Sequence, residues 1–291
     1  MDKIIKKAYA KINLFLDVVS RYPDGYHEVR TVMQSVSLCD DVEIELCEKG
    51  IYITCDNDLI PKDNRNIAWK AADLFFKEAH FTDKIGVKIN ITKRIPIAAG
   101  LAGGSADAAA VLCGINELAG RPLSWEYLIS LGATLGADIP FCMEGGTAYA
   151  DAKGDKLHTL ASLENVYFVI ACGGEGVSTP WAYRELDIKF DGFSQGAYTP
   201  RDVSAFKEKI ARGDVSGVYN VFEEAILPFR PVARQIKDIL NQKGALCALM
   251  SGSGPSVFGM FDDVTLAEQA ALDITSLGYF AHVATPIKKN F

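Results

Sequence analysis

The sequence lacks the features that mark a membrane or secreted protein. It contains no uninterrupted run of about 18 apolar residues, the length needed for a membrane-spanning helix. Its opening residues, MDKIIKKAYAKINLFLDV, carry lysines where a signal peptide needs an apolar stretch. We therefore expect a cytoplasmic protein without a membrane partner.

Paired cysteines and a surplus of positive charge are also missing. The seven cysteines are odd in number, widely spaced and without a CxxC pair, so the sequence predicts neither a disulfide framework nor a zinc site. The formal net charge of −7 argues against a polycationic surface, and nucleic-acid binding is not expected. Any anionic ligand must therefore bind at a locally positive site.

Three common catalytic signatures are absent as well. The stretch 96–112, PIAAGLAGGSADAAAVL, matches neither the Walker pattern, which needs GK[ST], nor the dinucleotide pattern GxGxxG. Ser105 and Ser253 do not lie in GxSxG, which argues against that type of serine hydrolase. With 49% hydrophobic residues and no repeat or low-complexity linker, the 291 residues favour one large or two modest folded domains.

The glycine-rich stretch is present between a predicted strand and a predicted helix. Residues 87–92 alternate between apolar and polar, and the apolar positions of 111–119 share one helical face. Ser105 is expected as the N-cap, with Asp107 in the first turn and Gly120 near the end. The free amide groups and the dipole of such an N-terminus form an anion site. From these residues alone, a phosphate cradle and a tight turn into an alanine-rich packing helix stay open.

Residues 8–18 are predicted to form a strand that places two polar side chains together. Their alternation puts Lys11 and Asn13 on the more polar face of a segment otherwise suited to burial. An ordinary exposed lysine is the simplest interpretation. A lysine held near buried surface, however, usually has an anionic partner.

Asp138 is the candidate partner of Lys11. A helix is predicted from Trp125, capped by Ser124, to Gly136, and Asp138 follows it in a short non-helical segment. A turn-forming aspartate is one interpretation. The other is a general base that accepts the proton of an attacking hydroxyl group, while Lys11 keeps it ionised and stabilises a transferring phosphoryl group.

The rest of the chain alternates between strand and helix patterns. Tyr26 and His27 follow a Pro-Asp-Gly turn, where they are either surface residues or project into a cleft. Segregated strands and helices in both halves point to an α+β fold with a joint near residues 152–163. Strands are expected at 41–46, 51–55, 166–171, 245–250, 257–261 and 279–284, and helices at 65–79, 202–212, 232–242 and 266–276.

Several motifs together resemble the GHMP kinases, the superfamily of galactokinase and of the homoserine, mevalonate and phosphomevalonate kinases. The loop matches P-x-x-x-G-L-x-G-G-S-A-D, AYAKINLFLDV resembles the N-terminal motif, and ALMSGSGPSVFG resembles the third motif. The order AKINLFLDV, RYPDGYHEV, GLAGGSADAAAVL, GADIPFC is similar to the members whose acceptor is a cytidyl diphosphate sugar alcohol. The similarity spans nearly the whole chain.

The resemblance implies a two-domain α+β GHMP kinase fold with the active site in the cleft between the domains. Residues 1–155 would form the ribosomal-S5-like N-terminal domain with the ATP phosphate loop, and residues 156–291 the ferredoxin-like C-terminal domain. The implied activity is ATP-dependent phosphoryl transfer to an alcohol, with Mg²⁺ as cofactor and small molecules as the only partners. A monomer or a weak homodimer is expected.

Residue roles follow from the same resemblance. Lys11 and Asp138 match the catalytic pair. In acceptor binding, His27 would read the cytosine edge, Tyr26 and Tyr183 would stack on the ring, and Thr179 and Asn13 would contact the acceptor, Asn13 near its reacting end. ATP binding falls on the loop residues Pro96, Ile97, Ala98, Ala99, Gly100, Leu101, Ala102, Gly103, Gly104, Ser105 and Ala106.

One departure and two alternatives remain. Ala102 and Ala106 stand where many superfamily members have Gly and Ser, which leaves Ser105 as the loop's candidate for a metal or phosphate contact. No acidic metal ligand is evident. Another GHMP kinase, acting on a mevalonate derivative, homoserine or a sugar, is one alternative, although those acceptors have no base for Tyr26 and His27 to bind. A non-catalytic nucleotide-binding protein is the other.

Overall fold

The computed structural model describes residues 3–81, 85–194, 196–210, 212 and 214–291 of the chain. In this part of the chain the strands are β1 (Lys3–Arg21), β2 (His27–Cys47), β3 (Ile51–Cys55), β4 (Gly86–Thr92), β5 (Thr147–Asp151), β6 (Lys156–Thr159), β7 (Tyr167–Cys172), β8 (Tyr219–Asn220), β9 (Cys247–Met250), β10 (Val257–Phe261) and β11 (Phe280–Ala284).

The helices of the described residues are α1 (Ile67–Glu78), α2 (Gly103–Leu118), α3 (Trp125–Leu135), α4 (Ile139–Glu144), α5 (Thr179–Lys189), α6 (Val203–Ile210), α7 (Phe222–Ile226), α8 (Pro231–Gln242) and α9 (Val264–Ser276). None of them is long and apolar enough to cross a membrane. The start of α3 confirms its predicted cap, because the Ser124 hydroxyl accepts the Tyr127 N–H at 3.3 Å.

The first sheet has seven strands and is built around the long antiparallel pair β1 and β2. Its order is β3-β4-β2-β1-β8, and β5 pairs with β2 and β6 with β5. The register of β1 against β2 shifts between Tyr9 and Lys11 and again between Asn13 and Phe15. A bulge re-aims side chains and frees backbone groups. Here it frees the Lys11 N–H, which donates to the carbonyl of Leu101 in the glycine-rich loop at 3.2 Å.

Helix α2 is buried on nearly all sides. Its residues from Ala106 to Asn116 are inaccessible to solvent or nearly so, and it packs on β1, α1 and α4. The alanine run explains this position, because small side chains let a helix approach a sheet and two neighbouring helices closely. The alanines therefore have a structural part in addition to the loop that precedes them.

The second sheet has four antiparallel strands in the order β11-β7-β10-β9. With α8 and α9 it follows the β-α-β-β-α-β succession of ferredoxin-like folds. The largest apolar core lies between the two sheets and joins Phe15 of β1 to Phe168 of β7 and Phe258 of β10. The predicted α+β class is confirmed. The predicted boundary after residue 155 lies in the β5–β6 hairpin, and the division into domains there stays a prediction.

The predicted start of α2 is wrong, and the prediction for the segment at Asp138 is confirmed in part. Ser105 does not cap α2: the helix begins at Gly103, because Ala102 takes a left-handed conformation (φ 56°) and turns the chain three residues earlier. Asp107 consequently lies beyond the first turn. Asp138 lies in the short non-helical segment 136–138 as predicted, but the segment ends there, because the chain continues as the six-residue helix α4 with Asp138 as its N-cap.

Candidate active site

One cavity of about 990 Å³ lies between the two halves of the chain and collects nearly all of the predicted site residues. Ala106 is the exception: its side chain is buried in the core and its N–H donates to the Ala102 carbonyl at 2.9 Å. The predicted residues that line the cavity are Lys11, Asn13, Tyr26, His27, Pro96, Ile97, Ala98, Ala99, Gly100, Leu101, Ala102, Gly103, Gly104, Ser105, Asp138, Thr179 and Tyr183.

Lys11 is held at the base of the cavity by a short chain of buried polar groups. Its Nζ donates to Asn13 Oδ1 at 2.7 Å, and Asn13 Nδ2 donates to the Thr31 hydroxyl at 2.8 Å. The Thr31 hydroxyl in turn donates to the Phe15 carbonyl at 2.8 Å. The chain orients the Asn13 amide and leaves the Lys11 ammonium group near the cavity. The predicted neighbourhood of Lys11 and Asn13 is confirmed.

Asp138 faces Lys11 across the cavity. Its Oδ2 lies 4.0 Å from Lys11 Nζ, at the outer limit of an ion pair, and its side chain is 40% exposed. The carboxylate belongs to the N-cap residue of α4, but it makes no capping hydrogen bond. Asp138 is therefore free to accept a hydrogen bond or a proton from a ligand that enters the cavity.

The glycine-rich loop turns its carbonyl groups into the protein. The carbonyl of Ala98 accepts the Val177 N–H at 3.1 Å, that of Ala99 accepts the Ser256 N–H at 3.2 Å, and that of Gly100 accepts the Ser251 hydroxyl at 3.0 Å. Because the carbonyls are engaged on the far side, the loop amides are oriented towards the cavity that the loop lines. Such an array of amides suits an anion.

Gly100 is required by a close approach of two loops. It has φ +78°, and a Cβ built on it would lie 2.1 Å from the carbonyl oxygen of Ser251. Gly252 lies equally close to the loop, since a Cβ built on it would be 2.9 Å from the carbonyl oxygen of Gly100. The motif SGSGPS therefore packs behind the loop and supports it. The motif is the connection of the β9–β10 hairpin and also shapes the cavity, which Gly252 and Ser253 line.

Helix α2 presents its N-terminus to the cavity. The first N–H of the helix with an intrahelical acceptor is that of Ala106, which donates to the Ala102 carbonyl. The N–H groups of Gly103, Gly104 and Ser105 therefore have no partner within the helix. These amides and the helix dipole favour a negative ligand. Ala102, in the left-handed region, carries a backbone strain of about 1–2 kcal/mol that glycine would not have. This strain gives a physical reason for the glycine of other superfamily members.

The opposite end of the cavity carries aromatic side chains. The rings of His27 and Tyr183 stack with their centroids 4.6 Å apart, and burial raises the pKa of Tyr183. His27 Nε2 lies 2.8 Å from Asp187 Oδ1, which fixes the plane of the imidazole. Tyr26 is 62% exposed, and Lys153 Nζ lies 4.1 Å from the centre of its ring. A planar ligand would meet aromatic faces and an oriented imidazole here.

Sequence reasoning missed several residues of this cavity. Ile60, Ile67 and Lys93 line it near the loop, and Asp187 holds His27. Asp107, which lies behind the loop, was expected only as a first-turn residue of α2. Its burial raises its pKa to about 7. Lys93 precedes the loop by only three residues, which is the one signal that could have drawn attention to it. Asp187 gave none, because its partner lies 160 positions away in the chain.

Two family models match the chain. The model of the GHMP kinases N terminal domain matches residues 66–146, and that of the GHMP kinases C terminal matches residues 196–279. Curated relatives are more specific. The 4-diphosphocytidyl-2-C-methyl-D-erythritol kinase of Caldicellulosiruptor saccharolyticus is 45% identical over 92% of this chain and 91% of its own. The enzyme of the same name from Geobacter sulfurreducens is 42% identical over 97% of this chain and 98% of its own.

Solved structures agree with these relatives. The fold is similar to a crystal structure of 4-(cytidine 5'-diphospho)-2C-methyl-D-erythritol kinase, with a TM-score of 0.81, 33% identity, and coverage of 97% of this chain and 99% of that one. A homoserine kinase from Cytophaga hutchinsonii gives a TM-score of 0.76 at 21% identity over 100% of this chain and 96% of its own. The second likeness shows the fold alone.

Proposed function

The chain belongs to the 4-diphosphocytidyl-2-C-methyl-D-erythritol kinase family of the GHMP kinases, and we propose that it transfers the γ-phosphoryl group of ATP to the 2-hydroxyl group of 4-diphosphocytidyl-2-C-methyl-D-erythritol. The products are the 2-phosphate and ADP, in the non-mevalonate route to isoprenoid precursors. The observation that carries the proposal is the meeting of Lys11 and Asp138 in one cavity with the glycine-rich loop.

Asp138 is proposed as the general base. It is half-exposed and has no capping hydrogen bond, so its carboxylate can accept the proton of the attacking hydroxyl group. The hydroxyl oxygen then bonds to the γ-phosphorus, and the bond from phosphorus to the oxygen of the leaving ADP breaks. General-base assistance contributes about 10²–10⁴ in rate.

Lys11 is proposed to stabilise the negative charge of the phosphoryl group during transfer. Lys11 is 5% exposed and its ammonium group is oriented by Asn13, so it does not have to be immobilised when the substrates bind. Its Nζ lies 4.0 Å from the Asp138 carboxylate, so the two groups would meet the same substrate atoms. The rest of the rate would come from holding the two substrates in line.

The ATP phosphates are proposed to rest on the loop amides and on the N-terminus of α2. The Ser105 hydroxyl lies at the same point of the cavity wall. In the described residues no group of three or more His, Cys, Asp or Glu side chains could hold a metal ion. That fits Mg²⁺ carried by a nucleotide, because Mg²⁺ usually keeps several waters and binds through substrate phosphates with few protein ligands. Bound there, it would neutralise phosphate charge, with Ser105 as the proposed protein ligand.

The cytosine of the acceptor is proposed to bind at the aromatic end of the cavity. Stacking needs only an open π-face, which the exposed ring of Tyr26 supplies. Tyr183, one face of which stacks on His27, is proposed to border the base on the other side, and His27 offers a hydrogen-bonding edge that Asp187 keeps in place. Thr179 and Asn13 would bind the remaining polar groups. The seven cysteines are all free, as is usual in the reducing cytoplasm, where we place the enzyme as a monomer or weak homodimer.

A panel of acceptors tests the proposal. Purified protein is incubated with MgATP and, in turn, with 4-diphosphocytidyl-2-C-methyl-D-erythritol, mevalonate, homoserine and galactose, and ADP release is followed by a coupled assay. We expect ADP release with the cytidyl acceptor alone, and a rate lower by about 10²–10⁴-fold from the Asp138→Asn variant, which controls for a contaminating kinase. Turnover of another acceptor in place of the cytidyl compound would contradict the substrate. ATP binding without turnover of any acceptor would contradict catalysis.

A further inference from the structure

Two buried carboxylates share one lysine behind the glycine-rich loop. Lys93 Nζ forms an ion pair with Asp40 Oδ2 and another with Asp107 Oδ2, the latter at 2.8 Å. All three side chains are at most 5% exposed. Because Asp40 lies in β2, Lys93 follows β4 and Asp107 lies in α2, the cluster joins three elements that are far apart in the chain.

The cluster fixes the entry of the loop through Asp40. Asp40 Oδ1 accepts the backbone N–H of Arg94 at 2.5 Å and that of Ile95 at 2.9 Å. These two residues directly precede Pro96, the first residue of the loop. One side chain therefore holds the backbone at the point where the chain leaves the sheet.

The cluster fixes the exit of the loop through Asp107. The bond from Lys93 to Asp107 spans 14 positions and closes the loop between them. The start of α2 is pressed against the same lysine, since a Cβ built on Gly103 would lie 3.4 Å from Lys93 Nζ and 3.1 Å from Ile95 Cγ2. Entry and exit are thus held at one place.

Asp107 also carries an unsatisfied atom. Its Oδ1 is buried and has no hydrogen-bond partner among the residues that the structure describes. A buried acceptor without a partner costs stability, so a stable fold alone would favour an apolar residue here. A buried unsatisfied group in a native structure calls for an explanation other than stability.

We propose that Asp40 and Asp107 are positioning residues for ATP, which act through Lys93 to hold the two ends of the glycine-rich loop in register and so aim its amides at the phosphates. The inference rests on the proposed use of this loop for ATP. Lys93 lines the cavity, whereas neither Asp40 nor Asp107 is among its lining residues. Their effect is therefore on nucleotide affinity and not on the transfer step.

Calorimetric titration with MgATP in the absence of acceptor tests the proposal. Asp107→Ala removes the bridge to Lys93, and we expect the Kd of MgATP to rise about tenfold, as for loss of one hydrogen bond to a charged group. Asp107→Asn keeps an oxygen that can accept from Lys93, and its Kd should stay within about threefold of the parent value. Kinetics should show the same change in KM for ATP, with kcat and the acceptor KM kept.

The matched control is Glu117→Ala. Glu117 lies at the other end of α2 and its Oε2 is 2.9 Å from Lys6 Nζ, so its loss removes a lysine–carboxylate pair of the same helix without touching the loop. Its MgATP affinity should equal that of the parent. An affinity of Asp107→Ala within about twofold of the parent, or an equal loss in Glu117→Ala, would overturn the proposal.

Folding of the variants is monitored by thermal denaturation. If Asp107→Ala does not fold, Asp107→Ser replaces it, because the serine hydroxyl is too short to reach Lys93 but can bond to the preceding helical turn. The same tenfold and twofold limits then apply. Since no acceptor is present in the titration, a wrong acceptor assignment leaves its outcome unchanged, and the two failures are distinguishable.

Discussion

The two lysine–aspartate groups near this cavity consist of the same residue types but differ in solvent exposure and in the distance between their charges. Lys11 and Asp138 are 4.0 Å apart, and the carboxylate is 40% exposed. Lys93 is in direct contact with Asp40 and Asp107, and all three are buried. In a loose, half-exposed pair the carboxylate is free to react with a ligand. In a tight buried cluster the charges are engaged with one another and stabilise the arrangement of the elements that carry them. Residue type alone therefore does not distinguish the proposed base, Asp138, from the buried carboxylates; burial and distance do.

The largest difference between the two groups is expected from Asp138→Asn. The amide cannot accept the hydroxyl proton, so we expect turnover to fall about 10²–10⁴-fold while MgATP binding and thermal stability are kept. Steady-state kinetics with the coupled ADP assay, together with calorimetry, measure the three quantities. Near-normal turnover would show that Asp138 is not the general base, and the functional difference between the two lysine–aspartate groups would then be absent.

The next largest effect is expected in the pH dependence of the free energy of unfolding, to which the buried cluster contributes through Asp107. Burial raises the pKa of Asp107 from its ordinary value to about 7, so the folded state holds this proton more tightly than the unfolded state. As pH rises towards about 7, Asp107 therefore lowers the free energy of unfolding, because the unfolded state loses this proton first.

Asp107→Asn should remove this slope. We expect urea denaturation at pH 5 and pH 8 to show the parent losing more stability over that interval than the variant. Parallel curves for the parent and Asp107→Asn would show that the buried carboxylate does not titrate as the structure indicates.

A methyl group at Gly100 tests the loop that lies between the two groups. Ala at this position would meet the Ser251 carbonyl at 2.1 Å as well as take an unfavourable positive φ. Gly120→Ala is the matched control, since Gly120 has φ +81° and nothing within 4 Å of a built Cβ. We expect both variants to lose about 1 kcal/mol through strain, and Gly100→Ala about 2 kcal/mol more, with weaker MgATP binding.

An equal loss in the two glycine variants, measured by urea denaturation, would show that the loop moves away from Ser251 at no cost. Unchanged MgATP affinity in Gly100→Ala would show that the support behind the loop does not affect the phosphate site.

The smallest effect is expected from His27→Ala, at the acceptor end of the cavity. Loss of one hydrogen bond of about 1 kcal/mol should raise the KM of the cytidyl acceptor about fivefold, while the KM for ATP is unchanged. Steady-state kinetics with each substrate varied in turn measure both constants. An unchanged acceptor KM would show that the base is read elsewhere in the cavity.

Much of the fold follows from the sequence because its signals are local. Alternation and capping predicted β3 at its exact limits and α3 from its cap residue Ser124 to its end at Gly136. The start of α2 was wrong for a local reason too, since the left-handed turn at Ala102 is a conformation that alanine seldom adopts.

The candidate site also has features that the sequence predicts and features that it does not. The sequence by itself singled out the loop, Lys11, Asp138 and the aromatic residues as candidates, because each lies in a short motif, and the resemblance of these motifs to the GHMP kinases implied their roles. Only the tertiary structure decided which of them meet and what holds them. The pairing of Lys93 with Asp40, and of His27 with Asp187, depends on the register of strands and helices that are 53 and 160 positions apart, and no local pattern records such a distance.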